Sequence, residues 1–194
     1  MTRLEQQMAF LLEIDKLKQV HRRTKLLSGE RYENSAEHTW HIALATLVLA
    51  EHSNTPIDAV KVMKMLLVHD LVEIDAGDTP AYGDQGDKTA LEAAAAERIF
   101  GLLPEDQRDE FTALWREFES RETPESLFAN SVDRLFPPIQ NIHNQGGSWL
   151  DFAVNRPRAD ARLSPIGDGS QPLWQLVSAI LDDAQNKGYI QPGN

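Results

Sequence analysis

Val60 to Ile74 reads VKVMKMLLVHDLVEI, and the reading of this stretch decides the fold. Apolar residues occupy nearly every side of a helical wheel, with Lys61 and Lys64 the only breaks before His69. A helix that is apolar all round is surrounded by other helices, so this stretch is expected to be the buried centre of a helical domain. Upstream, Thr55 and Pro56 give a capping residue and a proline at the first helical position, which predicts a helix from there to about Val72.

Working outward, residues 4–18 place Leu4, Met8, Leu11, Leu12 and Ile14 near helical spacing with charges between them. Ser35 precedes AEHTWHIALATLVLAEH and predicts a capped helix to about Glu51. GDTPAYGDQGD reads as a loop, after which KTALEAAAAERIFGLL and the segment opening at Pro104 each predict a further helix. Thr123-Pro124 repeats the cap-plus-proline signal, ahead of a helix that Pro137 and Pro138 should kink. Residues 146–170 look loop-like, and a last helix is expected from about Pro172 to Asn186. No period-2 strand is visible. The expectation is one all-α domain over residues 1–194, with six to eight helices.

The 194 residues suffice for one substantial core, and 41% hydrophobic with 25% charged residues is ordinary for a globular chain. A formal net charge of −11 repels duplex DNA and anionic membrane on average, which argues against both as partners. The most basic stretch, Lys16 to Lys25, has no aromatic residue for base stacking. Cysteine is absent, so disulfides, thiolate metal sites and cysteine nucleophiles are excluded together. The N-terminus lacks a signal-peptide pattern, and no apolar run nears the roughly 20 residues of a membrane span. A cytoplasmic protein is expected.

His69 and Asp70 stand at the end of the least polar helix, where an ionised carboxylate is costly unless paired or metal-bound. His38 sits on a helix that must also turn an apolar face inward, with His41 one turn later as the alternative. Asp133, flanked by Val132, Leu135 and Phe136, pairs either with Arg134 or with the other two elements. Imidazoles and carboxylates from separate helices make a mixed nitrogen and oxygen site suited to Mn, Co, Ni, Fe or Mg, and less exclusively to Zn.

The order His38, His69-Asp70, Asp133 resembles the signature of the HD-domain superfamily of metal-dependent phosphohydrolases. ENSAEHTWHIAL followed by MLLVHDLVEIDAGDTPAY is similar to the small stand-alone branch that includes bacterial 5′-deoxynucleotidases and their human relatives. The similarity spans about residues 20–140 and leaves 146–194 as a C-terminal extension. It implies that His38, His69, Asp70 and Asp133 hold one divalent metal ion. No histidine lies between Leu71 and Val132, whereas two-metal branches place further histidines there, so a single-metal centre is expected. The resemblance further implies a homodimer, with core packing the plainer assignment for Trp115 and Phe118.

In such a site a divalent ion activates water and draws charge from a phosphoryl oxygen. The resemblance makes Glu73 the catalytic carboxylate, with Asp75 the weaker competitor. Arg23 falls where the deoxynucleotidases keep a phosphate-orienting arginine, and Arg22 is its near neighbour; a guanidinium can fork onto phosphate oxygens. Asp70, Asp78, Thr79, Pro80 and Ala81 match substrate-contacting positions. Thr24 stands where those enzymes have a tryptophan, and Arg31 with Glu33 suggests an internal ion pair. The expected activity is hydrolysis of nucleoside or deoxynucleoside 5′-monophosphates to nucleoside and phosphate. The alternatives are an alarmone-type pyrophosphohydrolase, disfavoured because Ile74 separates Glu73 from Asp75, and a non-catalytic helical binding module with a structural metal.

Overall fold

The computed structural model describes residues 1–78, 82 and 88–193. The expected Thr79, Pro80 and Ala81 contacts lie outside the described residues. Helix α1 (Arg3–Ile14) opens on a capping box, in which the Thr2 hydroxyl takes the Glu5 amide and the Glu5 carboxylate takes the Thr2 amide. A 3₁₀ turn carries the chain into strand β1 (His21–Lys25), which pairs antiparallel with β2 (Tyr32–Asn34). His21 faces Asn34 and Lys25 faces Tyr32, so Arg22, Arg23 and Thr24 together oppose Glu33. This bulged hairpin corrects the strand-free expectation. Its residues HRRTK carry no apolar alternation, and a bulge re-aims side chains at the cost of that alternation.

Helix α2 (Ser35–Leu49) is capped by Asn34 rather than Ser35, which frees the Ser35 hydroxyl for another bond. Helix α3 (Ala59–His69) starts later than Thr55-Pro56 suggests, because the Asp58 carboxylate accepts from the Val60 and Lys61 amides. A 3₁₀ turn (Asp70–Val72) and the short α4 (Glu73–Ala76) follow directly. Helices α5 (Lys88–Phe100), α6 (Glu105–Ser120) and α7 (Pro124–His143) come next. Pro137 and Pro138 lie inside α7, which continues to His143. Each lacks an N–H, so the carbonyls of Asp133 and Arg134 lose their helical donors.

Residues 146–170 are not simply a loop. They form α8 (Ser148–Asp151), α9 (Arg156–Leu163) and α10 (Ile166–Gly169), ahead of α11 (Gln171–Asn186). Gly169 lets α10 approach α7 closely, since a Cβ there would sit 2.4 Å from the Leu127 carbonyl oxygen. Among the described residues eight helices have seven residues or more, so the fold is mostly helical as expected.

Val62, Met65 and Leu66 of α3 are fully buried, in agreement with a central α3. They join Ile42, Phe128, Val132, Trp149 and Val177 in one apolar cluster. A second cluster gathers Phe10, Leu17, Val68, Leu71, Val72, Phe100 and Trp115. His69 and Asp70 lie where α3 passes from one cluster to the other, which fixes them on rigid ground. Trp115 and Phe118 are both core residues. Among the described residues no helix is long and apolar enough to cross a membrane.

Candidate functional site

Four elements converge at the end of α3. His38 of α2 is fully buried and places Nε2 3.0 Å from Asp133 Oδ1 on α7. His69 ends α3 and places Nε2 3.7 Å from the same Asp133 oxygen and 3.0 Å from Asp70 Oδ1. One donor atom from each of His38, His69 and Asp133 fits within 4.8 Å of the others. Two ligands of one ion bound at about 2.1 Å cannot be more than about 4.2 Å apart, and both measured separations fall inside that ceiling. His41 is not part of this group; its ring packs on Phe136, 4.1 Å between centroids.

The hydrogen bonds settle which nitrogen faces inward. His69 Nδ1 lies 2.7 Å from the Leu66 carbonyl, which can only accept, so Nδ1 carries the proton there. Nε2 then turns a lone pair toward two carboxylates, is buried, and has no hydrogen-bond partner. Lone pair against carboxylate repels unless a cation or a proton stands between them. Burial alone would lower the His69 pKa, yet Asp70 and Asp133 raise it well above the ordinary value. Asp133 shows the reverse: burial raises its pKa, and the imidazoles of His38 and His69 beside it carry it well below the carboxylate range. The donor set therefore fits a divalent cation. On its other side, His38 Nδ1 faces Glu33 Oε2 at 3.5 Å, the outer carboxylate that commonly orients a ligating imidazole.

Asp70 turns its second oxygen to Arg22, 3.2 Å from Nη1, and Arg22 Nε lies 3.7 Å from Glu33 Oε2. Arg22 thus stands between two buried carboxylates, and the charges of Asp70 and Asp133, with Glu73 and Asp78, outweigh the burial that would lower its pKa. Arg23 is exposed and lines the same cavity. Arg31 pairs with Glu37, not with Glu33. Glu73 accepts 2.7 Å from the Ser35 hydroxyl; burial, with Asp70 adding, pushes its carboxyl up to about 8. Asp75 is tied to Arg98 on the surface, away from the group. Asp78 lines the cavity, its pKa raised by burial.

The cavity has a volume of about 150 Å³, roughly ten times what one water needs. His69, Asp70, Glu73 and Asp133 form one wall. Tyr82, Trp149 and Phe152 supply aromatic surface, and Arg121, Arg134 and Arg162 also face the space. Arg134 is 4% exposed, and burial with the charges of Arg162 and Arg121 brings its guanidinium down to about 10, still cationic at neutral pH. Sequence reasoning missed Arg121 and the cavity role of Arg134, and it gave Glu33 and Ser35 no part beside the ligands. Adjacent to Asp133, Arg134 reads as its ion-pair partner; no such pair forms.

A helical fold whose central helix ends in a buried imidazole–carboxylate group, open to a cavity, is suited to a metal-dependent enzyme. The comparisons carry the identification further. A family model described as "HD domain" matches residues 14–174, past the expected region at both ends. The chain belongs to the HD domain family and is an HD-domain metal-dependent phosphohydrolase. A crystal structure described as a predicted metal-dependent phosphohydrolase from Magnetospirillum magnetotacticum superimposes with a TM-score of 0.94 and 46% identity, covering 98% of this chain and 96% of that one. The 5′-deoxynucleotidase HDDC2 of Mus musculus is 28% identical, over 88% of this chain and 84% of its own. A 5′-deoxynucleotidase of Enterobacter is 25% identical, over 79% and 81%.

Proposed function

We propose that the protein hydrolyses nucleoside 5′-monophosphates to nucleoside and inorganic phosphate, using one divalent ion held by His38, His69, Asp70 and Asp133. The observation that carries this reading is the orphaned His69 Nε2, aimed at two carboxylates on the wall of a cavity that also holds arginines and aromatic rings. The similarity to 5′-deoxynucleotidases supports the substrate class. A bound divalent cation would supply Lewis acidity and a lowered water pKa.

The residues supply the rest. The Ser35 hydroxyl holds Glu73 in place, and in the metal-free site burial pushes its carboxyl up to about 8, so that it holds a proton it can give. Glu73 gives that proton to the departing 5′-oxygen as the P–O bond breaks and water becomes bonded to phosphorus, and recovers it from the attacking water. Two carboxylates already neutralise Arg22, whereas Arg23 at the cavity edge forms no ion pair among the described residues and can fork onto phosphate oxygens. Asp78 is placed to accept from a sugar hydroxyl. Thr24 is buried, lines the cavity, and its hydroxyl has no partner; a small polar side chain there leaves room for ribose as well as deoxyribose.

A homodimer is part of the same proposal. Trp40, Leu44, Leu47 and Val48 on α2 and Leu67 on α3 are exposed apolar residues at helical spacing, and a contiguous apolar stripe is the surface a second copy would cover. Phosphate release should be screened over ribo- and deoxyribonucleoside monophosphates with the metal varied. Turnover of at least one of them with Mn or Co supports the reading; release of pyrophosphate from an alarmone and of no phosphate from any monophosphate would overturn it.

A further inference from the structure

Three arginines face the cavity with no counter-charge bonded to them among the described residues. Arg134 of α7 is almost wholly buried, its Nε has no hydrogen-bond partner, and its Nη1 makes only a long 3.4 Å bond to the Arg162 carbonyl. Arg162 on α9 and Arg121, just past the end of α6, line the same space, and neither forms a side-chain ion pair among the described residues. Glu119 also lines the cavity but pairs with none of them. The neighbouring arginines are engaged: Arg156 with Asp160 and Asp182, and Arg158 with the Phe152 and Tyr82 carbonyls.

This arrangement is expensive. A buried guanidinium left unpaired carries a desolvation penalty that neutral neighbours do not return, and two further cations nearby add repulsion. In a chain of net charge −11, Glu119 lines the same space and Asp133 adjoins Arg134, yet among the described residues neither carboxylate forms an ion pair with any of the three arginines. A neutral nucleobase does not balance the charge; an anion does, and guanidinium forks match phosphate oxygens.

We propose that Arg121, Arg134 and Arg162 form a second anion subsite, which takes a phosphate group carried by the substrate in addition to the one hydrolysed. The preferred substrate class is then a nucleotide with two separate phosphates, such as a nucleoside 3′,5′-bisphosphate. This rests on the phosphohydrolase reading for the group that reacts, and not for the group that is held.

The test compares a nucleoside 5′-monophosphate with its 3′,5′-bisphosphate, in wild type and in Arg162→Gln and Arg121→Gln, whose side chains are less buried than Arg134. Melting curves confirm folding. The bisphosphate is expected to show at least tenfold higher kcat/KM in wild type, and the bisphosphate-to-monophosphate ratio should fall about tenfold in Arg162→Gln, as for the loss of one charge-assisted contact. Equal handling of both substrates by wild type would overturn the subsite. A loss shared equally by the two substrates would place the arginines on the hydrolysed phosphate and overturn it as well. Stimulation of monophosphate turnover by free inorganic phosphate, with the bisphosphate preference abolished, would overturn the claim that the substrate carries the group. Calorimetric binding to Glu73→Ala separates the two readings. An Arg162-dependent preference for the bisphosphate there, without turnover of either nucleotide by wild type, supports the subsite while the hydrolysis reading fails.

Discussion

The two walls of the cavity carry opposite charge and came from opposite kinds of sequence signal. One wall gathers His69, Asp70, Glu73 and Asp133, with His38 buried behind Asp133, all within short motifs on or beside apolar helices. The other gathers Arg121, Arg134 and Arg162, from the end of one helix, the middle of another and a short helix in a stretch that reads as loop. Anionic residues in an apolar run are costly enough to announce a purpose. Arginines on amphipathic helices are ordinary, and nothing in their spacing distinguishes a cavity-facing one from a solvated one.

The sharpest way to break this contrast is to empty the acidic wall. Asp133→Ala should abolish metal retention, measured by elemental analysis after dialysis, and lower phosphate release by on the order of 10³-fold or more; full metal content with normal turnover would remove Asp133 from the centre. Glu73→Gln comes next. It should keep the metal and lose about 10²–10⁴ in kcat, and an unchanged kcat would take Glu73 out of the proton path.

The same substitution has a smaller effect of opposite sign on stability. Glu73 has a folded-state pKa of about 8 against an ordinary 4.5, so the folded state binds the extra proton between those values. Its stabilising effect is complete below 4.5 and is lost as pH rises through 8. Metal-stripped Glu73→Gln should therefore melt above metal-stripped wild type at pH 8.5, with the gap closing toward pH 5. A gap independent of pH would disprove the burial argument.

Between the walls, Arg23→Ala should raise KM for a monophosphate about tenfold with metal content intact, as for one charge-assisted contact. Arg22→Ala should instead lower the melting temperature, because it leaves Asp70 and Glu33 facing each other uncompensated. The reverse pattern would transfer the phosphate role to Arg22. Smallest is the outer surface: Trp40→Lys should shift sedimentation toward monomer and leave the acidic wall's metal content unchanged.

The central helix, the helical class and the convergence of His38, His69 and Asp133 were legible in the sequence because buried polar groups restrict residue type. The bulged hairpin was not: HRRTK has no apolar alternation, and its register depends on Glu33 and Asn34 across the turn. Helices α8 to α10 escaped because each is short and lies in a stretch rich in Gly and Pro, so their order comes from tertiary contacts: α8 is bonded to α7 through Ser148 and Asn141, α9 packs on α11, and α10 on α7. Ser35 looked like a cap; Asn34 takes that duty, and the hydroxyl holds Glu73 instead.

Asp133 and Arg134 are joined by one peptide bond, and on a helix such neighbours are offset by about 1.5 Å and 100°. One backbone segment thus sets both poles of the pocket, and sliding α7 would carry them together without altering the reach between them. Adapting the enzyme to longer or shorter molecules must therefore work through the tail of α6 and through α9. Those are the segments in which to look first when relatives with different appetites are compared.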